Sequence, residues 1–196
     1  MKTVGVISFQ GDFERHLGRL RELGRNAVPV TDPQSAATVD AIVIPGGEST
    51  TIGMLLDRFD MLQLIRDRIS AGVPVLGTCA GTILLADEIR GSDQPRIGGL
   101  HISVERNAYG RQIESFEADL MVSDPTWPSW NEKEVLGVFI RAPIITGVEK
   151  DVQVLLEFEG SPVMVRQGAI LAATFHPELT PDARVHDYFL REVAGL

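Results

Sequence analysis

Cys79 is the only cysteine of the 196-residue chain, and it sits between two glycines in Leu76-Gly77-Thr78-Cys79-Ala80-Gly81, directly after the apolar run Val73-Pro74-Val75. A thiol where a short strand turns sharply into a helix is the sulfur counterpart of the G-x-S-x-G nucleophile elbow. Glycines belong there because one residue takes a strained backbone conformation and neighbouring chains pass too close for a Cβ. The side chain then projects at the edge of the sheet. A helix beginning at Ala80 or Gly81 aims its positive end at the sulfur and favours the thiolate. A buried core cysteine is the commoner fate of a lone thiol, and the residues far downstream decide against it here.

Two further polar segments follow apolar runs. Pro45-Gly46-Gly47-Glu48-Ser49-Thr50 comes after residues 41–44, and Phe175-His176-Pro177-Glu178 after residues 170–174. With Cys79 they supply what a cysteine hydrolase requires: a thiol, an imidazole to move protons, a carboxylate to orient it, and free backbone N–H groups for an oxyanion. Each has a plainer reading alone. His176 would be a polar strand end, Glu178 a solvated charge, Gly46-Gly47 a tight turn, and residues 49–51 a helix cap. His16 and His186 read as helix-surface residues. Segment 46–53 lacks the lysine of a phosphate loop, and no paired-cysteine or H-E-x-x-H pattern supports a metal.

The elements that must carry these residues alternate in the first half. Residues 4–8, 27–30, 41–44 and 73–76 read as buried strands. Phe13, Leu17, Leu20 and Leu23 mark one helix, capped by Gly24. Leu55, Phe59, Leu62, Ile65 and Ile69 mark a second ending at Gly72, and Ile83, Leu84 and Leu85 continue a helix behind the elbow. Such alternation predicts an α/β fold, a mostly parallel central sheet flanked by helices on both faces, with ligands at the C-terminal strand edge. From about Gly98 the pattern changes to strands with turns, at 101–105, 115–122, 135–140, 152–158, 163–165 and 170–174, before a final helix at 182–193. Segment 123–131 is a loop holding Trp127 and Trp130.

Composition bounds the rest. The length suits a single domain over residues 1–196, and 44% hydrophobic content with a mean hydropathy of +0.07 is that of a compact soluble protein. No apolar stretch approaches the roughly 20 residues of a membrane span, and the first residues lack a signal-peptide layout. One cysteine excludes an internal disulfide and suits a cytoplasmic location. A net charge of −9 and a pI of about 4.9 argue against nucleic acid as a partner.

On these motifs the chain resembles the class I glutamine amidotransferases, with their flavodoxin-like three-layer sandwich, and within them the glutaminase subunits of pyridoxal 5′-phosphate synthase. The resemblance runs almost end to end, through segments 5–11, 45–51, 77–86, 104–112, 137–143 and 175–180. The cysteine and His-Pro-Glu elements belong to the wider superfamily; segments 105–112 and 139–143 are the specific ones. His101 stands where an acidic residue is common, and the Trp127–Trp130 loop is longer than usual.

The resemblance implies that Cys79 is the nucleophile, His176 the general base and acid, and Glu178 its orienting carboxylate. It implies that Gly46, Gly47, Glu48, Arg106, Ile140 and Arg141 bind L-glutamine, with the backbone N–H groups of Gly47 and Ala80 as oxyanion hole. An arginine suits the substrate's α-carboxylate on chemical grounds as well. It implies a synthase subunit as partner, ammonia passed to it through a tunnel, and a role for Gln10 in ordering the site when that subunit docks. No cofactor or metal of its own is implied. The alternatives are a different class I amidotransferase and a non-catalytic protein on the same fold; an intact Cys79, His176 and Glu178 speaks against the second.

Overall fold

Apolar segments without a polar face can be strands only where both faces of a sheet are covered. The computed structural model, which describes residues 2–106, 115–123 and 134–196, covers them in this way. Strands β1 (Thr3–Ile7), β3 (Ala41–Ile44), β4 (Val75–Thr78) and, much later in the chain, β12 (Ile170–Ala173) are buried along almost their whole length. With β2 (Asn26–Val30) they run in the parallel order β2-β1-β3-β4-β12. Pro29 lies in β2, an edge strand, where its missing N–H costs no ladder bond.

Beyond β12 the sheet continues antiparallel through β11 (Ser161–Gln167), β10 (Gln153–Phe158), β7 (Ser115–Val122) and β8 (Glu134–Ile140), nine strands among the described residues. The burial of β8 alternates residue by residue, as expected of a strand with one wet face. A second sheet joins β5 (Ala86–Arg90), β6 (Leu100–Glu105) and β9 (Ile144–Val148).

The alternation of side chains along β3 divides the core into two layers. Ile42 and Ile44 pack with Ile52, Leu56, Ile65 and Leu84 from α3 (Ser49–Arg58), α4 (Met61–Ser70) and α5 (Ala80–Leu85). Ala41 and Val43 face the other way, onto Leu17 and Leu20 of α1 (Phe13–Glu22) and Val185 and Phe189 near the C-terminus. Helices on both faces of the sheet make the expected three-layer arrangement. Among the described residues, no helix is long and apolar enough to cross a membrane.

Three readings of the sequence change. The single helix expected through Leu55–Ile69 is two, because Asp60 turns left-handed (φ 57°) after Phe59. The break lets α3 bury Ile52 and Leu56 while α4 buries Met61 and Ile65 at its own angle; Phe59 stays 43% exposed, stacked on Phe9. The final helix is shorter, α6 (Arg184–Tyr188) followed by a π-helical turn at Phe189–Val193. A short helix α2 (Pro33–Thr38), capped by the Asp32 side chain, and strands β5 and β9 were not anticipated. Trp127, Trp130 and residues 107–112 of the family-specific segment lie outside the described residues.

Candidate active site

The elbow forms where β4 ends and α5 begins. Cys79 adopts φ 47° and ψ −101°, a region that costs a non-glycine residue of order 1–3 kcal/mol. Its N–H donates to Ala173 O of the neighbouring strand (2.8 Å), which ties the turn to β12. The flanking glycines are required by contact. A Cβ on Gly81 would lie 2.1 Å from Ile44 O, and one on Gly77 would lie 2.8 Å from the Gly81 carbonyl carbon. The chain can therefore bend this tightly against β3 only with glycine at both positions.

His176 follows β12 and is fixed by its N–H bond to Val138 O (2.8 Å). Its Nδ1 is 2.7 Å from Glu178 Oε1, and Cys79 lies close enough to influence the charge of the ring. A 3-10 turn at Pro177–Leu179 carries Glu178 back under the ring. Burial works against a charged imidazole, but the bonds to Cys79 and Glu178 and the negative charges of both outweigh it and push His176 up to about 10. His176 therefore holds its proton at neutral pH, paired with sulfur on one side and a buried carboxylate on the other. Glycine at position 46 is again a matter of contact: a Cβ there would meet His176 Cε1 at 2.3 Å.

A cavity of about 260 Å³ opens over the thiol. Gln10, Gly47, Glu48, Cys79, Arg106, Ile140, Arg141 and His176 all line it, so the structure brings together eight of the expected residues. Gly46 packs behind His176, Ala80 is fully buried at the first turn of α5, and Glu178 lies out of reach beneath the imidazole. Asp12, Ser49 and Ile83 complete the lining; sequence reading assigned Ser49 to a helix cap and Ile83 to the helix behind the elbow, and Asp12 stands just past the segment 5–11.

The rim is pre-set by hydrogen bonds. Glu48 caps α3, accepting from Thr50 N (3.2 Å), Thr51 N (2.7 Å) and Thr51 Oγ1 (2.7 Å), so Glu48 rather than residues 49–51 supplies the cap. Burial opposes its ionised form, but the bonds from Thr51 and Thr50 and the nearby Arg106 charge hold it below the usual carboxylate range. Arg106 donates through Nη1 to Gln94 Oε1 (2.5 Å) and Thr50 Oγ1 (3.0 Å) and approaches Glu48 through Nη2 (3.5 Å). Arg141 is turned by a left-handed backbone (φ 43°) just after β8, and Ile140 O lies 3.9 Å from the Cys79 sulfur. Gln10 Oε1 accepts from Glu48 N–H (2.8 Å), and Gly46 O accepts from Asp12 N–H across a long 3.4 Å bond.

His16 and His186, expected on helix surfaces, are both fully buried. His16 Nδ1 is 2.9 Å from His186 Nε2, and His16 Nε2 is 3.1 Å from Thr78 Oγ1 and 3.4 Å from Glu178 Oε2. The signal was present in the spacing. Phe13, His16, Leu17 and Leu20 follow the i, i+3, i+4, i+7 pattern of one helix face. His101 lies elsewhere, on the small sheet, with Nδ1 2.7 Å from Asp151 Oδ2. Asp12, His176 and Glu178 each bring a ligand-capable atom within 4.8 Å of the others, but the imidazole and Glu178 already engage each other.

Known proteins share both the sequence and the fold. Residues 6–195 match the model of the SNO glutamine amidotransferase family. The chain is 49% identical over 190 residues to the pyridoxal 5′-phosphate synthase subunit PdxT of Carboxydothermus hydrogenoformans, covering 97% of each. It is 51% identical over 189 residues to the subunit of the same name from Pelotomaculum thermopropionicum, covering 96% of this chain and 94% of the relative. A crystal structure of a glutamine amidotransferase superposes with a TM-score of 0.90 at 47% identity, covering 98% of this chain and 99% of that one. The elbow, the histidine–glutamate pair and the nearly full-length match lead to one conclusion: the chain belongs to the SNO glutamine amidotransferase family.

Proposed function

We propose that this chain is the glutaminase subunit of a pyridoxal 5′-phosphate synthase, hydrolysing L-glutamine to L-glutamate and ammonia and passing the ammonia to a synthase subunit for vitamin B6 biosynthesis. It acts as one domain over residues 1–196, in the cytoplasm, with no nucleic acid or membrane partner. The observation that carries the reading is the strained Cys79 beside a Glu178-paired His176 at the floor of an arginine-rimmed cavity. The named relatives, about half identical over nearly their whole length, support the assignment to this synthase.

The chemistry follows from the charges. The Cys79 thiolate attacks the carboxamide carbon, and the carbonyl electron pair moves onto oxygen, held by the N–H groups of Gly47 and Ala80. Collapse breaks the C–N bond, and His176 Nε2 gives its proton to the departing nitrogen, which leaves as ammonia. The sulfur is now a neutral thioester, so the thiolate no longer holds a proton on His176, and the imidazole can act as base. It takes a proton from water as the hydroxide attacks the thioester; glutamate leaves, and the thiolate–imidazolium pair is restored. Arg106 and Arg141 hold the α-carboxylate and Glu48 the α-ammonium, while Gly46 and Ile140 shape the site around them.

Arg106→Ala and Arg141→Ala, each in a Cys79→Ala background, are expected to weaken glutamine binding roughly 10- to 100-fold, the value of a hydrogen bond to a charged group. Calorimetric titration measures this without turnover. Unchanged affinity in both would move the substrate site elsewhere.

The partner is expected to switch the enzyme on. The Gly46–Gly47 peptide carries both a carbonyl oxygen and the N–H required for the oxyanion, and among the described residues its carbonyl is held only by the long bond from Asp12. Gln10 clamps the next residue, Glu48, through its backbone N–H. Adding the synthase subunit should raise kcat by about 10²- to 10³-fold, the effect of gaining one oxyanion donor. Gln10→Ala should blunt that rise while leaving the melting temperature nearly unchanged. Full activity in the isolated chain, indifferent to the synthase, would exclude the switch.

A further inference from the structure

Behind the triad lies a second, wholly buried polar group that the reaction as described does not use. Glu178 presents one oxygen to His176 at 2.7 Å; the other, Oε2, is sealed from solvent and faces His16 Nε2 at 3.4 Å, with no shorter, well-aligned donor among the described residues. A buried carboxylate oxygen needs a hydrogen-bond donor. We propose that His16 is a positioning residue for the triad: a neutral imidazole, fixed as its Nε2–H tautomer by His186, that holds the outer oxygen of Glu178 so that the inner one meets His176.

The tautomers follow from what each nitrogen faces. His16 Nδ1 and His186 Nε2 are 2.9 Å apart, so one must donate and the other accept. If His16 carried its proton on Nδ1, its Nε2 lone pair could accept from the Thr78 hydroxyl but would also face the Glu178 carboxylate, and His186 Nδ1–H would be a buried donor with no acceptor among the described residues. With both rings protonated on Nε2, His186 donates to His16, and His16 donates toward Glu178 Oε2 and Thr78 Oγ1, the residue before the nucleophile. Among the described residues, the groups then unmatched are the His186 Nδ1 lone pair and the Thr78 hydroxyl hydrogen. The second arrangement leaves no repulsive contact on the carboxylate.

Neutrality is part of the role. A cation at His16 would compete with the His176 imidazolium for the same carboxylate. The 3.4 Å contact is therefore the approach of a neutral ring to the carboxylate rather than an ion pair. Complete burial, then the facing His186 and His176, keep His16 well below the ordinary histidine range. His186 is lowered to about 3 by burial and by the Arg19 charge, against the opposing pull of Asp182. Three separate elements, α1, the turn after β12 and α6, are thus linked in one relay from His186 through His16 to Glu178.

The inference rests on the Cys79–His176–Glu178 assignment, and its test separates the two. Histidine ring-nitrogen chemical shifts of the ¹⁵N-labelled chain should report His16 and His186 as neutral Nε2–H tautomers from pH 6 to 8. In the complex with the synthase subunit, His16→Leu should lower kcat about 10- to 100-fold, the usual effect of removing a group that orients a functional ligand, with KM for glutamine little changed. His16→Gln, whose amide N–H reaches the same place, should recover most of that loss. An Nδ1–H or protonated His16, wild-type kcat in a folded His16→Leu, or equal losses in the leucine and glutamine variants would each overturn the proposal. If His16→Leu does not fold, the ring-nitrogen shifts and the glutamine variant decide. Activity surviving Cys79→Ala would instead overturn the triad.

Discussion

Cys79→Ala should abolish glutamine hydrolysis, lowering kcat by about 10⁴- to 10⁶-fold, the scale for removing a nucleophile that works as a unit with its base. No other thiol can substitute, since the chain has only this cysteine. His176 alone cannot form the thioester, and a water molecule in place of sulfur would lack its nucleophilicity. The fold should be unaffected. The sulfur's recorded backbone contact is a 3.9 Å approach to Ile140 O, and alanine meets the same backbone strain at position 79 that cysteine does. Ammonia release assayed with the synthase subunit present measures the loss, and an unchanged melting temperature separates it from unfolding. An electrophilic glutamine analogue should add its mass to the wild-type chain at Cys79 and leave the variant unlabelled. Glutaminase activity persisting in a pure Cys79→Ala preparation would sink the assignment of the nucleophile.

The legible part of the molecule was the part built from short-range rules. Buried parallel strands announce themselves as apolar runs, and the polar residues after them fall at one sheet edge, so Gly46, Gly47, Glu48, Cys79 and His176 could be gathered before any coordinates. The elbow was legible because a tight crossing leaves glycines behind, and the contacts of Gly77 and Gly81 are the reason. What was not legible depended on a second element. The heptad-like run from Leu55 to Ile69 fits one helix perfectly, yet packing asks α3 and α4 for different angles, and Asp60 tolerates the left-handed turn that permits this. Gln94 carries no motif and matters through Arg106, which it anchors from a loop twelve residues upstream. His16 was legible in principle. Its place on the apolar stripe of α1 gave burial, but α6, the turn after β12 and Thr78 at the end of β4 supply what it is buried against.

Glu178→Gln is the variant that separates proton management from substrate binding, with an expected loss of kcat of roughly 10³- to 10⁴-fold, as when an orienting carboxylate becomes an amide. Two causes combine. The bond to Nδ1 and the carboxylate charge both raise His176, and losing them lets burial, the largest influence, pull the imidazole down from about 10 against Cys79 alone. An amide can also turn its NH₂ toward Nδ1, which leaves a neutral ring with its proton on Nε2 and no free lone pair to take a proton from water in the second half of the reaction. The sign of the pH effect follows. Ammonia departs only while His176 is protonated, so lowering its pKa moves the alkaline limb of the rate profile to lower pH. Glutamine affinity should stay close to that of the wild type, because Glu178 lies under the imidazole and does not line the cavity. Single-turnover rates across a pH series, alongside glutamine titration in a Cys79→Ala, Glu178→Gln double variant, give both quantities. A loss carried by affinity with kcat intact, or an alkaline limb that does not move, would mean that Glu178 braces the loop rather than the charge on His176.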